Sequence, residues 1–408
     1  MRKKDRTETW NMQRKTIVGV DVRDLQISKS GVKTYLEELC KEFAKPDTSI
    51  EFVFIRNRIP VYTGNNPWGK LFEHVRFQWW KQIMLPLKAK IKECDVLFCT
   101  DFFVPVFSWG VKTVPVFHDA FFWEYPAHYN KYWRTLFIQL GLRAAKKAAF
   151  IVTPTKYTQE QIARYSGIAK EKIIPIHEGP KRFEGSVTVI SEDQQKAGFT
   201  SASSLLVNPV GKPYLLHIGT AEKRKNLPFL IKAFSELINA ADQNNTAADM
   251  IPPNLCLVLA GQFTNKSTIN DAPTIMATIE ALGLQDRVIL TGYLPDEAIP
   301  AYYTHAACYV FPSMNEGFGI PILEAFQYGC PVLIANNSCL PEVAGDAALA
   351  FDPTDQAELV AQLKRILTNQ NLRETLIAKG EERIQQFTWE SAAAELKALF
   401  KQAHNTKL

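Results

Sequence analysis

The chain has no pair of cysteines at metal-ligand or redox spacing. Its seven, Cys40, Cys94, Cys99, Cys256, Cys308, Cys330 and Cys339, stand singly, which argues against a disulfide framework, a zinc site or a CxxC centre and for small buried hydrophobes in a reducing compartment. No uninterrupted apolar run reaches the ~18 residues a membrane span needs, and the basic, polar start from Met1 to Lys15 lacks the apolar stretch of a secretory signal. The expected location is cytoplasmic. Charge of one sign is also in short supply: 47 Lys and Arg against 42 Asp and Glu leave +5. That excess suits an anionic membrane face or a phosphorylated substrate and is too small to argue for nucleic acid, and no aromatic-interleaved basic stretch supplies the missing signal. No G-x-G-x-x-G follows a strand with an acid about twenty positions on, which counts against a dehydrogenase. Asp21-Val22-Arg23-Asp24 has the wrong spacing for an acidic metal motif, so neither a metal nor a cofactor is expected.

What the chain does contain is enough length, 408 residues, for two α/β domains of roughly 200 residues each. Short β-branched or aromatic runs at 16–22, 51–56, 96–99, 111–117, 150–153 and 173–177 alternate with amphipathic stretches. The pattern lapses over about 178–212, resumes at 214–218 and repeats at 255–260, 288–290, 308–311, 332–335 and 348–351. Such alternation predicts parallel sheets covered by helices. It divides the chain into an N-terminal domain at 1–205, a second at 206–386 and a terminal segment at 387–408, in which Ala392, Leu396, Leu399 and Phe400 share a helix face. The tract 240–253 reads as a surface loop. Ligands of open α/β sheets settle beyond the C-terminal strand ends, which makes the loops there the first place to look for chemistry.

Four such loops stand out. In Pro312-Ser313-Met314-Asn315-Glu316-Gly317-Phe318-Gly319-Ile320-Pro321-Ile322-Leu323-Glu324-Ala325, the glycines allow close backbone approach and Pro321 suits the first helical position. Free amides at that helix start make a seat for phosphate. Glu324 can accept two hydrogen bonds from a ribose diol, with Glu316 nearer the sugar. The bland alternative is a first-turn acid and a solvated loop acid. In Gly219-Thr220-Ala221-Glu222-Lys223-Arg224-Lys225-Asn226, Lys225 and then Arg224 are placed to neutralise a departing diphosphate; the alternative is a basic surface turn. His118, after the run 111–117, would project into a cleft as a hydrogen-bonding or catalytic group. Gly31, at the start of a helix after Ser28-Lys29-Ser30, again suits close approach to a ligand. A further stretch, 72–92, mixes Phe77, Trp79, Trp80, Ile83 and Met84 with Arg76, Lys81, Lys88, Lys90 and Lys92. It reads either as a helix packed on its own sheet or as one lying on a membrane surface.

The run from Tyr309 to Pro353, with its E-x(7)-E pair Glu316 and Glu324 and its LPEVAGDAAL segment at 340–349, resembles the C-terminal signature of glycosyltransferase family 4, a large retaining group. The similarity covers nearly the whole chain. It implies a GT-B fold, an α/β architecture of two Rossmann-like domains facing across a cleft, with the C-terminal helix crossing back to the N-domain. By the same resemblance Glu324 holds the donor ribose, Glu316 contacts the hexose, and the amides of Phe318, Gly319 and Ile320 bind the diphosphate and sugar. His118 lies beside the transferred sugar, Gly31 belongs to a glycine-rich loop, and the backbone around Leu294 meets the nucleobase. Thr220 stands where many relatives have Arg, as in the subgroup reading GT-x-x-x-RKN. Gly219, Thr220, Arg224 and Lys225 complete the expected donor set, with His118, Glu316 and Lys225 as the catalytic residues. The implied substrates are a GDP- or UDP-hexose donor, with a slight tilt to GDP-mannose, and a glycan or lipid-linked acceptor of surface polysaccharide synthesis. The implied activity is hexosyl transfer; the missing acidic motif makes it metal-independent, and the second reading of the 72–92 stretch adds peripheral contact at the inner membrane surface. The competing reading is a catalytically silent scaffold that binds nucleotide sugar.

Overall fold

The computed structural model describes residues 14–26, 31–57, 59–62, 64, 66–183, 207–243, 251–263 and 269–406. Most of the linker expected at 178–212, the residues Ser28 to Ser30 and most of the 240–253 tract lie outside them, although the helix Leu227–Gln243 runs into the start of that tract. The chain divides into two compact units, each discontinuous in sequence. One comprises Met1–Val116, Phe137–Val152 and Ala393–Leu408; the other comprises Phe117–Leu136 and Thr153–Ala392.

The first unit is built on four parallel strands, β1 (Thr16–Asp21), β2 (Ile50–Ile55), β3 (Val96–Cys99) and β4 (Lys112–Pro115), in the order β2-β1-β3-β4. β3 is buried along its whole length, as a parallel strand covered on both faces must be, which is why it reads as a continuous apolar run. The chain leaves β1 toward one edge and later adds β3 and β4 on the other side, so the loops after β1 and β3 meet at the reversal. A buried ion cluster sits there: Lys81 Nζ lies 2.6 Å from Asp21 Oδ2 and 2.8 Å from Asp101 Oδ1. Burial alone would lower the Lys81 pKa, but the two carboxylates outweigh it and hold the ammonium well above its usual value. Lys81 therefore departs from the sequence reading, which placed it among the cations of an amphipathic stretch.

That stretch is a helix, Pro67–Trp79, continued through a wider π turn at Trp80–Met84 into a second helix, Leu85–Ile91. Its inner face buries Trp80, Lys81, Leu85 and Ala89, while the other face is exposed. The last helix, Trp389–Asn405, returns to this unit from Ala393 onward. Phe400 packs there edge-on against Phe98 at 5.2 Å and against Phe43 and Phe52 at 6.2 Å.

After the short strands β5 (Ile151–Thr153) and β6 (Ile173–Pro175), the second unit forms a six-stranded sheet. Its strands are β7 (Tyr214–Ile218), β8 (Cys256–Ala260), β9 (Val288–Gly292), β10 (Cys308–Phe311), β11 (Val332–Ala335) and β12 (Ala348–Phe351), in the order β12-β11-β10-β7-β8-β9, with every pair parallel. β7 to β9 grow outward in one direction and β10 to β12 in the other, so the strand order reverses between β7 and β10. This is the position at which open parallel sheets bind ligands, because the helices following the two central strands leave on opposite faces and their loops part. The two richest motifs of the sequence are the loops that follow these strands.

Candidate active site

The loop after β7 and the loop after β10 are stitched together by backbone, with Met314 N donating to Arg224 O at 2.7 Å. Lys223–Lys225 form a single tight helical turn closed by Asn226 in the left-handed region, at φ 57°. The turn aims Arg224 and Lys225 back at the second loop, where Arg224 NH1 lies 2.6 Å from Glu316 Oε2 and Lys225 Nζ lies 2.6 Å from Glu316 Oε1. Glu222 takes the other edge of the guanidinium, 2.8 Å from Arg224 Nε, and accepts from the Thr220 hydroxyl at 2.9 Å. Rings back both cations: Arg224 lies 5.0 Å from the centre of Phe121 and Lys225 lies 4.9 Å from that of Phe311.

Glu316 is buried. Burial alone would raise its pKa, yet Arg224 and Lys225 outweigh that and hold it at about 2. It is an anion clamped by two cations; the solvated loop acid does not describe Glu316, nor does the basic surface turn describe the buried Lys225.

Two close approaches shape the turn that follows. A Cβ at Gly317 would stand 2.0 Å from His118 O, so only glycine lets the His118 backbone pass. Gly319, at φ 107°, sits at the start of the helix Ile320–Gln327, in a conformation that L side chains avoid. Pro321 is the second residue of that helix rather than the first, still inside the turn where a missing N–H costs nothing. The fifth, Glu324, is buried and accepts a hydrogen bond from Tyr303 Oη at 2.9 Å. Burial pushes its pKa up to about 7, against the opposing effect of that bond.

On the opposite side of the turn, the hydroxyls of Thr155 and Thr158 lie 3.0 and 3.1 Å from Gly317 O. Thr155 also caps the helix Lys156–Ser166 through Thr158 N. The same helix start is held by Glu342 of the LPEVAGDAAL segment, which accepts from Lys156 N, Tyr157 N and His177 Nε2 at 2.8 to 3.0 Å. Removing the Thr155 hydroxyl with alanine therefore loosens the turn as well as the cap. The expected cost is about 1 to 2 kcal/mol, read as a lower urea midpoint with unchanged slope.

His118 belongs by contacts to this unit. Its Nδ1 lies 3.4 Å from the buried Glu178, and its backbone abuts Gly317. Gly219 N bonds Ala260 O at 2.8 Å, and Gly261 N bonds Gly292 O at 2.8 Å. The ends of β7, β8 and β9 are thus tied in a row, with Leu294 half-buried two residues beyond. A side chain at Gly261 would stand 1.7 Å from Gly219 O. Phe318 and Ile320 are buried. Gly31 opens the helix Gly31–Phe43 of the first unit and is exposed.

Sequence reasoning missed Tyr303, Glu222, Thr155 and Thr158. It also missed Asn315, which is buried and bonds Glu124 Oε2 at 2.7 Å. Glu342 was inside a quoted motif, but nothing in its spacing marked it as an anchor.

The family described as Glycosyltransferase Family 4 matches residues 29–179, and that described as Glycosyl transferases group 1 matches residues 204–383. O-antigen chain mannosyltransferase B of Escherichia coli is 28% identical over 289 residues, 70% of this chain and 68% of its own length. The serotype-specific mannosyltransferase WbdA of Escherichia coli is 29% identical over 181 residues, 44% of this chain but only 20% of the relative. HepE of Anabaena, solved in complex with UDP-glucose, superposes with a TM-score of 0.68 at 17% identity, covering 95% of this chain and 99% of its own. The two Rossmann-like units and the two family matches, which together span most of the sequence, make this chain a GT-B glycosyltransferase of family 4.

Proposed function

We propose that the chain moves a hexose, mannose from GDP-mannose in the first instance, to a hydroxyl of a glycan or lipid-linked acceptor in polysaccharide synthesis, with retention and without a metal. The observation that carries the reading is the ion cluster of buried Glu316 and Lys225 with part-buried Arg224 at the strand-order reversal, directly before a helix start opened by Gly319. Mannose is favoured because the two sequence relatives described above are named mannosyltransferases. A nucleotide sugar as donor is favoured because a protein of this fold holds UDP-glucose.

In this reading the diphosphate sits on the amides of Phe318, Gly319 and Ile320, where the helix start favours anions. Arg224 and Lys225 share their charge between Glu316 and the leaving phosphate, the role that a metal plays in other transferases. Glu324 receives the ribose hydroxyls, and Glu316 and His118 face the sugar. A double displacement needs a carboxylate at the anomeric carbon. Asp119 is the nearest acid in sequence to His118, but its Oδ1 is engaged by Phe121 N at 2.9 Å and burial raises its pKa. Front-face attack with the leaving phosphate as base is the route preferred here.

A thermal-shift panel of GDP, UDP, GDP-mannose and UDP-glucose tests the donor. The expected result is the largest shift with GDP-mannose; no shift with any of the four overturns the donor assignment. Turnover is expected to survive exhaustive EDTA treatment, whereas loss restored by manganese would refute the metal-free mechanism. The anomeric configuration of the product, read by proton NMR, decides retention.

A further inference from the structure

Glu178 is only 3% exposed, and the proposed transfer gives it no role. An ionised carboxylate is costly in such a place unless a donor or a cation faces it. Among the described residues it has one ion-pair or hydrogen-bond partner, the imidazole of His118, with Oε1 3.4 Å from Nδ1. Asp119, the acid next to His118 in sequence, is committed elsewhere, its Oδ1 accepting from Phe121 N at 2.9 Å. The chain on both sides of Glu178 is fastened. His177 Nε2 lies 3.0 Å from Glu342 Oε1. A Cβ at Gly179 would stand 2.8 Å from the Trp389 ring, so a side chain there would displace the indole, and Trp389 Nε1 donates to Pro180 O at 2.7 Å. His118 is fixed from its own side, where its carbonyl oxygen passes Gly317 too closely for any side chain. The carboxylate and the imidazole therefore meet on backbone that is held in place, as a preorganised pair requires.

The chemistry of the pair runs in one direction. An ionised carboxylate can only accept, so the imidazole must present its N–H at Nδ1, and in the neutral ring Nε2 is then left with a lone pair. A lone pair at Nε2 accepts from a hydroxyl. Without the carboxylate the ring could take its other tautomer, which puts the proton on Nε2 and turns an acceptor into a donor. A separation of 3.4 Å is long for a formed hydrogen bond, and such bonds in enzymes tighten once substrate is in place.

We propose that Glu178 is a positioning residue: it holds His118 in the Nδ1–H tautomer, so that Nε2 accepts a hydrogen bond from a hydroxyl of the transferred hexose. This role rests on the reading of His118 as a group beside the sugar, and it supplies what sets the polarity of that ring.

Ring nitrogen shifts of histidine-labelled full-length protein, with His118→Asn identifying the His118 signals, read the tautomer with no donor present. The wild type is expected to show a protonated Nδ1 and an unprotonated Nε2 at pH 8. Glu178→Gln, whose amide can also donate, is expected to give the other tautomer or a mixture. Glu178→Asp, which keeps the charge, is expected to retain the wild-type tautomer. In titration calorimetry Glu178→Gln is expected to weaken GDP-mannose binding about tenfold, the worth of one neutral hydrogen bond, and to leave GDP binding within about twofold. Glu178→Asp is expected to recover GDP-mannose binding to within about threefold of the wild type. A wild-type His118 with its proton on Nε2 overturns the proposal, as does a Glu178→Gln variant that binds GDP-mannose like the wild type. Equal losses for GDP and GDP-mannose mark a merely structural carboxylate and overturn it too. Should the wild type bind neither GDP nor GDP-mannose, the donor reading fails, and the ring shifts alone decide for or against Glu178.

Discussion

Glu316→Gln is expected to lower kcat by about a hundredfold to a thousandfold and, separately, to destabilise the fold. The two effects have one origin. The carboxylate sits 2.6 Å from both Arg224 and Lys225, and burial that would favour its neutral form is outweighed by those cations. Glutamine fills the same volume but leaves the Lys225 ammonium buried without its anion, while Arg224 keeps Glu222. Breaking one side of a buried pair costs about 3 to 5 kcal/mol, measurable by chemical denaturation. On the proposed mechanism the catalytic loss follows because the cations that would share charge with a leaving diphosphate are held in place by this anion. Adding Lys225→Met to Glu316→Gln separates the two. Stability is expected to recover in part, since no uncompensated ammonium remains, and turnover is not. A single variant that keeps kcat within twofold would remove Glu316 from the chemistry and leave it as a structural clamp.

Much of this arrangement was legible before any coordinates because parallel strands covered on both faces must be apolar along their length. Runs such as 308–311 and 332–335 therefore announce strands by composition alone. The loop motifs were legible for a different reason: Gly317, Gly319 and Pro321 mark backbone that does something ordinary side chains cannot. Pairings across the fold were not legible. Tyr303 reaches Glu324 from another helix, and nothing in the sequence around Tyr303 says which of its faces meets Glu324. Lys81 reads with its neighbours as one more cation of an amphipathic stretch because its partners, Asp21 and Asp101, lie 60 and 20 residues away at the ends of adjacent strands. Burial reverses the meaning of such a residue, and burial is a property of the packed sheet rather than of the local pattern.

The same separation explains why the lysines of the 220s loop carried two readings at the outset. Three consecutive basic residues on a turn are ordinarily solvated. Here Lys225 is buried only because the strand order reverses beside it and brings Glu316 from 91 residues further along. Lys223 stays at the surface while Lys225 goes in, so one short turn serves both readings at different positions.

Glu324→Gln is expected to make the protein more stable and less able to bind nucleotide. The folded-state pKa of Glu324 is raised from 4.5 to about 7 by burial. The stability associated with its neutral form is therefore fully present below pH 4.5 and is lost as pH rises through about 7. Above that pH the fold carries a carboxylate it would prefer to protonate, at a cost on the order of 3 kcal/mol. Glutamine keeps the shape and an acceptor for Tyr303 Oη, so at pH 8 the variant should melt at a higher temperature than the wild type, and at pH 5 the two should converge. Binding should run the other way. A hydrogen bond to a charged group contributes about 1.5 to 3 kcal/mol against about 0.5 to 1.5 kcal/mol for a neutral one, so with two such bonds from a ribose diol nucleoside diphosphate affinity is expected to fall about tenfold to a hundredfold. Wild-type affinity should also weaken by about tenfold from pH 8 to pH 6, as Glu324 takes up its proton, whereas the variant should lack this part of the dependence. Calorimetry of denaturation and of nucleotide binding at the three pH values measures both sides. A variant less stable than wild type at pH 8, or one that binds nucleotide equally well, would mean that Glu324 is an ordinary buried acid rather than a group kept at the expense of stability for the ribose.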